Sequence, residues 1–132
     1  MNAQDEPHGM SQEMLLEIFD APITFHRCLV PVAGGVTAAL LLSQAIWLNE
    51  TQAQFTQGWF MCSQEQWTQE TGLSRWEQET ARRELRVAGL IEERLVGMPA
   101  KLWFRVCPQA IRRAMEAVLA QRRADDKRNS RG

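Results

Sequence analysis

Apolar and polar positions change their period several times along the chain, and each change marks a predicted element. From Met10 to Phe19 the apolar residues recur at helical spacing, which predicts a short amphipathic helix with Ser11 as its N-cap. Ile23 to His26 has the pattern of a strand. Val36 to Thr51 is the most apolar helical segment, so we expect it at the centre of the core or with a second face buried in a partner.

Two helix-capping signals lie close together in the middle of the chain. The Ser-Gln-Glu-Gln run that starts at Ser63 has the pattern of a capping box and predicts a helix that Gly72 ends. The Ser-Arg-Trp-Glu run that starts at Ser74 opens a second helix, which Gly89 stops. Two capped helices so close in sequence form a helix-turn-helix.

A β-hairpin is predicted directly after this helix pair. The strand-like segments Leu90 to Val96 and Lys101 to Val106 flank a turn that contains Gly97 and Pro99. A helix-turn-helix followed by a hairpin is the layout of a winged helix. The predicted fold class is therefore α+β, mainly α: a winged helix-turn-helix with a three-helix core, a β-hairpin wing, and flanking N- and C-terminal helices.

The C-terminal part begins at Pro108, which suits the first turn of a helix. This helix is expected from about Gln109 to Arg122, and its apolar stripe favours either dimerisation or packing onto its own domain. The charged residues after Ala124 predict disorder. The predicted organisation is an acidic N-terminal arm (1–22), a winged-helix domain (23–107), a C-terminal helix that is a candidate for dimerisation (108–124) and a disordered tail (125–132).

The net charge of -1 conceals an uneven distribution. Residues 1–20 carry five acidic side chains and no Lys or Arg, whereas residues 71–113 carry nine basic side chains and five acidic ones. The positive charge is therefore concentrated at the helix pair and the hairpin, where a nucleic-acid-binding surface would need it. On the hairpin, Arg94, Lys101 and Arg105 fit contacts of a wing with DNA, and they equally fit ordinary surface charges on strands.

The second helix of the pair has two distinct faces. Ala81, Leu85 and Ala88 recur at helical spacing and predict its buried face. The opposite face is rich in arginine and amide groups and suits the major groove, although a solvated face held by pairs such as Glu79 with Arg83 has the same composition. Residues near the helix start are expected nearest the base edges, and later arginines nearest the phosphates. The candidate DNA-binding residues are Ser63, Gln64, Ser74, Arg75, Gln78, Glu79, Arg82, Arg83, Arg86 and Lys101.

The chain contains five tryptophans and no tyrosine. Trp47, Trp59 and Trp103 lie in apolar strings and are expected in the core, with stacking on single-stranded bases as the alternative. Trp67 and Trp76 have polar neighbours, so their environment stays open.

The remaining reactive residues indicate neither a metal site nor an active site. Cys28, Cys62 and Cys107 are scattered among apolar or aromatic residues, which favours buried reduced thiols over disulfides or zinc ligands. His8 and His26 lie near no cysteine motif. The chain also has no Gly-rich phosphate loop and no nucleophile beside a histidine. We therefore expect no metal, no cofactor and no enzymatic activity.

The sequence also lacks a signal for the membrane. No apolar run reaches the roughly 18 residues that span a bilayer. The first residues are polar, rather than basic and then apolar as in a signal peptide. The expected location is therefore the cytoplasm, without a membrane partner.

The run from Gly58 to Val106 resembles the winged-helix modules of phage, plasmid and conjugative-element replication proteins and of related small DNA-binding regulators. The resemblance rests on Thr71–Arg75 (TGLSR), on an Ala and a Leu four residues apart in the next helix, and on Gly89–Ile91 (GLI). It extends upstream to the apolar helix Ala38–Glu50. It implies binding of double-stranded DNA through the helix that starts at Ser74. Winged helices with this pattern also serve as protein-interaction modules.

Two functions of different classes follow. The first is a sequence-specific double-stranded DNA-binding protein, a transcriptional regulator or accessory replication factor of a mobile genetic element, expected to act as a homodimer. The second is a winged-helix adaptor that binds protein through the N-terminal arm or the C-terminal helix, without strong DNA binding. The salt dependence of binding distinguishes these two functions, because phosphate contacts weaken steeply as the salt concentration rises.

Overall fold

The computed structural model describes residues 9, 11–14, 22–54 and 56–130. The chain is α+β and mainly helical, as expected, with one antiparallel sheet in the described part. A 3-10 turn, Arg27–Leu29, comes before the first helix. The elements that follow are α1 (Val30–Ala33), α2 (Val36–Gln52), β1 (Trp59–Met61), α3 (Gln64–Thr71), α4 (Arg75–Val87), β2 (Ile91–Val96), β3 (Lys101–Val106) and α5 (Pro108–Ser130).

The N-terminal region departs from the sequence prediction. Of the predicted helix Met10–Phe19, residues 12–14 are helical, and the Ser11 hydroxyl accepts a hydrogen bond there; the rest lies outside the described residues. The predicted strand Ile23–His26 is irregular. The backbone N–H of His26 donates to the hydroxyl of Ser43 on α2 at 3.0 Å instead of pairing with a strand. A tertiary contact has therefore overridden the local strand pattern.

Helix α2 lies at the centre of the core, as its apolar composition predicts. It packs against α1, α3, α4, β1 and β3, so apolar side chains are needed on most of its circumference. The Ser43 hydroxyl, buried in the same helix, donates to the Ala39 carbonyl at 2.7 Å and is thereby satisfied. The buried residues of α2 are Ala38, Ala39, Leu41, Leu42, Ser43, Gln44, Ala45 and Leu48.

The sheet has the strand order β1-β3-β2, with both pairs antiparallel. Phe60 and Glu93 both lie opposite Phe104 in the register, so these three side chains project from one face. Phe60 and Phe104 are buried, which identifies this as the inner face. Trp59 and Trp103 alternate with these phenylalanines and project from the outer face.

The core tryptophan is Trp67, and the prediction that Trp47, Trp59 and Trp103 lie in the core is wrong, because Trp59 and Trp103 are partly exposed on the outer face of the sheet. The indole of Trp67 lies edge-on to Phe60 and Phe104, with ring centroids 6.3 and 5.4 Å away. Trp47 is 48% exposed on α2. Its apolar neighbours in sequence favour burial, but the side of α2 on which Trp47 lies is covered only in part, by Pro22–Thr24 and Glu70. Trp67 is buried despite polar neighbours because the period of α3 directs it inward.

Helix α5 extends beyond the predicted end near Arg122 and includes residues 125–130 of the tail for which the sequence predicts disorder. These residues are exposed on all sides, so the helix gains little from burial there. The amide of Gln121 donates to the carboxylate of Asp125 at 3.1 Å, and Arg128 lies 3.9 Å from the same carboxylate. Such pairs at helical spacing favour continuation of the helix.

In the described part of the chain, no single helix is both long and apolar enough to cross a bilayer. The segments Arg27–Ala33 and Val36–Gln52 meet that criterion only when taken together across a bend of 114°.

Candidate nucleic-acid interface

Serine caps position both helices of the predicted helix pair. At α3, the Ser63 hydroxyl accepts a hydrogen bond from the backbone N–H of Gln66 at 3.1 Å. At α4, the predicted capping box is complete: the Ser74 hydroxyl accepts from the N–H of Glu77 at 3.2 Å, and the Glu77 carboxylate accepts from the N–H of Ser74 at 3.0 Å. These bonds lower the pKa of Glu77, the backbone bond contributing most. The Ser74 side chain therefore caps the N-terminus of α4.

A left-handed glycine and a buried glutamine hold the turn between α3 and α4. Gly72 has φ +76, and its N–H donates to the Thr68 carbonyl at 2.8 Å, as a C-capping glycine does. Gln78, predicted on the exposed face, is 1% exposed. Its amide donates to the Leu73 carbonyl at 3.0 Å and to the Thr68 hydroxyl at 2.7 Å. The assignment of Gln78 to base edges is therefore wrong, because a turn carbonyl and a hydroxyl need its donors inside the fold.

Two of the predicted arginines join α4 to the hairpin through Glu93 on β2. The guanidinium of Arg82 donates from Nε to Oε1 at 2.8 Å and from Nη2 to Oε2 at 3.1 Å, and Arg86 Nη1 donates to Oε2 at 2.9 Å. Arg82 also lies over the ring of Phe104, 5.4 Å from its centroid. The Glu93 side chain is 10% exposed and that of Arg82 22%. The main role of Arg82 is therefore to stabilise the packing of α4 against the hairpin.

The other charged residues of α4 face solvent. Arg75 donates to Glu79 at 3.2 Å, both largely exposed, so Glu79 pairs with Arg75 rather than with Arg83. Arg83 is exposed and makes no ion pair or side-chain hydrogen bond with any described residue. Ala88, predicted to face inward, is the exposed C-cap of α4, because the helix ends one residue earlier.

The most outward line of α4 includes two apolar residues that the sequence analysis missed. Trp76 is 73% exposed, and Val87 is also largely exposed. At about 100° per residue, both lie roughly opposite the buried direction set by Ala81 and Leu85, as Arg83 does. The helical period identifies both positions as outward-facing, whereas the apolar character of the two side chains is more typical of a core. Apolar side chains at such positions can contact thymine methyl groups.

A cleft of about 540 Å³ lies between the hairpin tip, the start of α3 and α4. Trp67 and Phe104 form part of its wall. Three cations, Arg75, Arg82 and Lys101, line it together with the carboxylate of Glu79, so the lining carries more positive than negative charge. Six of the predicted residues line this cleft together: Ser63, Gln64, Arg75, Glu79, Arg82 and Lys101.

The surface offers hydrogen-bond donors and positive charge rather than a nucleophile. The nearest thiol, Cys62, is buried, and burial, followed by the negative charge of Glu70, raises its pKa. The prediction that all the cysteines are buried is wrong for Cys28, which is exposed, and Cys107 is partly buried. Among the residues that the structure describes, no group of three or more His, Cys, Asp or Glu side chains could hold a metal ion.

What the chain binds has to be inferred from the geometry and charge of this surface. The resemblance of Gly58–Val106 to winged-helix modules rests on the sequence motifs described above. No family model, no curated protein and no solved structure matches this chain.

Proposed function

We propose that this chain is a winged helix-turn-helix protein that binds double-stranded DNA, with α4 in the major groove and the hairpin as the wing. The order of a capped helix pair followed at once by an antiparallel hairpin supports this architecture. The single observation that carries the proposal is the cleft, in which residues from α3, α4 and the hairpin tip combine on one positively charged surface.

The residues divide into those that contact DNA and those that hold the surface. Arg83 and Lys101 are exposed, and within the described chain neither forms an ion pair, so we assign them to phosphates. The backbone N–H groups at the start of α3, beside Ser63 and Gln64, serve a further phosphate. Arg75 sits at the N-terminal end of α4, where recognition helices meet base edges, and its exposed pair with Glu79 can open at little cost.

The proposed biological role is that of a transcriptional regulator or accessory replication factor of a mobile genetic element. The sequence motifs shared with such winged-helix modules support this role. A homodimer would present two copies of α4 to the half-sites of an inverted repeat, one helical turn of DNA or a multiple of it apart.

A second candidate function, protein binding, is favoured by a groove between α2 and α5. Its volume is about 450 Å³, and its walls are largely apolar, with Ile46 on one side and Met115 and Leu119 on the other. Leu119 is 46% exposed. Apolar side chains exposed along a helix are typical of a protein-interaction surface, either with a second copy or with another protein.

Fluorescence anisotropy with labelled duplex DNA tests the first function. The purified chain is titrated with a random duplex and with duplexes from the region upstream of its own coding sequence, at two salt concentrations. We expect salt-sensitive binding that is tighter for an upstream duplex. Absence of binding to every duplex at low salt would refute the proposal and leave the adaptor function.

Matched variants connect the binding to the proposed surface. Arg83→Ala and Lys101→Ala each remove one exposed cation from the surface, and Arg113→Ala removes an exposed cation from α5. We expect weaker duplex binding for the first two variants and unchanged binding for the third. Equal losses for all three variants would mean that the positive charge acts without a defined site.

The groove is tested separately with Leu119→Glu. Light scattering coupled to size-exclusion chromatography gives the oligomeric state of the wild type and the variant. If α5 mediates the homodimer, the variant becomes monomeric and binds an inverted repeat more weakly, while its affinity for a single half-site stays the same. A wild type that is monomeric at all concentrations, with unchanged DNA binding by the variant, would contradict dimerisation through α5.

A further inference from the structure

The outer face of the sheet, opposite the buried phenylalanines, carries an unusual set of side chains. The register brings Trp59 opposite Arg105, Met61 opposite Trp103, and Arg94 opposite Trp103. All of them are at least partly exposed. We define the outer sheet face by the residues Trp59, Met61, Arg94, Lys101, Trp103 and Arg105.

Two guanidinium groups lie on the indole of Trp59. Arg94 reaches it from β2 across the central strand, 4.4 Å from the ring centroid, and Arg105 lies 4.7 Å from the same centroid. Arg105 also donates to the carboxylate of Glu92 at 2.7 Å. The planar groups are thus held in place by stacking and by an ion pair before any ligand arrives, which reduces the entropy cost of binding.

The charge of this face favours an anionic ligand. Three cations, Arg94, Lys101 and Arg105, stand against the carboxylate of Glu92. Trp, Met and Arg are also common in protein–protein interfaces, so the choice of a nucleic-acid ligand rests on the positive charge and on the stacked planar groups. In a DNA duplex the faces of the bases are covered by their neighbours, and only unpaired bases can stack on tryptophan or guanidinium planes.

We propose that the outer sheet face binds single-stranded nucleic acid. Unpaired bases stack on Trp103 and on the Trp59 cluster, and Arg94 and Lys101 contact the phosphates. The two tryptophans are diagonal neighbours on adjacent strands, about 7–8 Å apart by sheet geometry, so successive bases of one strand can reach both. The outer sheet face lies on the opposite side of the sheet from α4, and Lys101 at the hairpin tip borders both this face and the cleft. Trp59 and Trp103 do not line the cleft, so the proposal holds whether or not α4 binds a duplex.

The test is fluorescence anisotropy of the full chain with a labelled oligothymidylate of 12 nucleotides. We expect binding at low salt, a loss of about 10-fold or more for Trp103→Ala, and a smaller loss for Arg94→Ala. Trp47→Ala is the matched control, because Trp47 is a half-exposed tryptophan on α2, outside both proposed surfaces. Trp103→Phe keeps an aromatic ring and should retain binding within a few-fold. If Trp103→Ala fails to fold, Trp103→Phe takes its place in the comparison with the wild type.

An oligonucleotide of the same length without bases separates stacking from phosphate attraction. We expect it to bind at least 10-fold more weakly than the oligothymidylate. Equal binding of the two oligonucleotides, no binding of oligothymidylate at low salt, or equal losses for Trp103→Ala and Trp47→Ala would each overturn the proposal. Duplex binding of Trp103→Ala, measured in parallel, should match that of the wild type, so failure of this proposal is distinguishable from failure of the duplex site.

Discussion

Arg82 on α4 and Glu93 on β2 form a two-pronged ion pair, with N···O distances of 2.8 and 3.1 Å, in a site where the carboxylate is 10% exposed. This pair joins the arginine-rich helix α4 to the hairpin, the two elements of the proposed DNA-binding surface. Charged groups at this depth are costly to leave unpaired. This ion pair therefore distinguishes the arginines that stabilise the fold from the arginines that are available to a ligand.

The first prediction concerns this division. Arg82→Ala leaves Glu93 partly desolvated with Arg86 as its remaining partner, so we expect the free energy of unfolding to fall by about 2 kcal/mol. Arg83→Ala removes an exposed side chain and should change it by less than about 0.5 kcal/mol. Urea unfolding of both variants measures the difference. If the two variants are equally stable, the pair of Arg82 with Glu93 contributes nothing to stability. Because Arg82→Ala also weakens the fold, a loss of DNA binding in this variant alone does not show that Arg82 contacts DNA.

Local signals in the sequence predicted the elements well, and tertiary partners account for most of the errors. The start of α4 follows from Ser74 and its capping box, and the turn follows from Gly72, because both depend on neighbouring residues only. Gln78 could not be assigned from its own helix, since the groups that accept its hydrogen bonds lie on α3 and in the turn. The same holds for Arg82, whose partner on β2 lies eleven positions further along the chain.

The second prediction concerns pH and the capping box. The hydrogen bonds from Ser74 lower the pKa of Glu77 in the folded chain. A carboxyl group with a lowered folded pKa contributes stability above its unfolded pKa, about 4.3 for Glu, and this contribution is lost as the pH falls through the folded value. Wild type should therefore be more stable than Glu77→Gln at pH 7, and the difference should shrink between pH 5 and pH 2. Chemical unfolding at several pH values checks this; a difference independent of pH would contradict it.

The third prediction concerns the thiols. Cys28 is exposed and should react first with a thiol reagent at pH 8. Cys107 should react more slowly, because burial and then the charge of Glu92 raise its pKa, with Arg105 acting in the opposite direction. Cys62 should react only when the chain unfolds, because it is buried and its pKa is raised further. Mass spectrometry of timed alkylation gives the order, and early labelling of Cys62 would contradict the core packing described above.

The most direct test of duplex binding through α4 and the hairpin tip is the salt dependence of affinity for a duplex. The logarithm of the association constant is plotted against the logarithm of the salt concentration for the wild type, for the double variant Arg83→Ala/Lys101→Ala and for the control Arg113→Ala. Each lost phosphate contact reduces the slope by about 0.9, so the double variant should have a slope smaller by about 1.8, with the control equal to the wild type. Equal slopes for all three proteins would contradict binding through this surface.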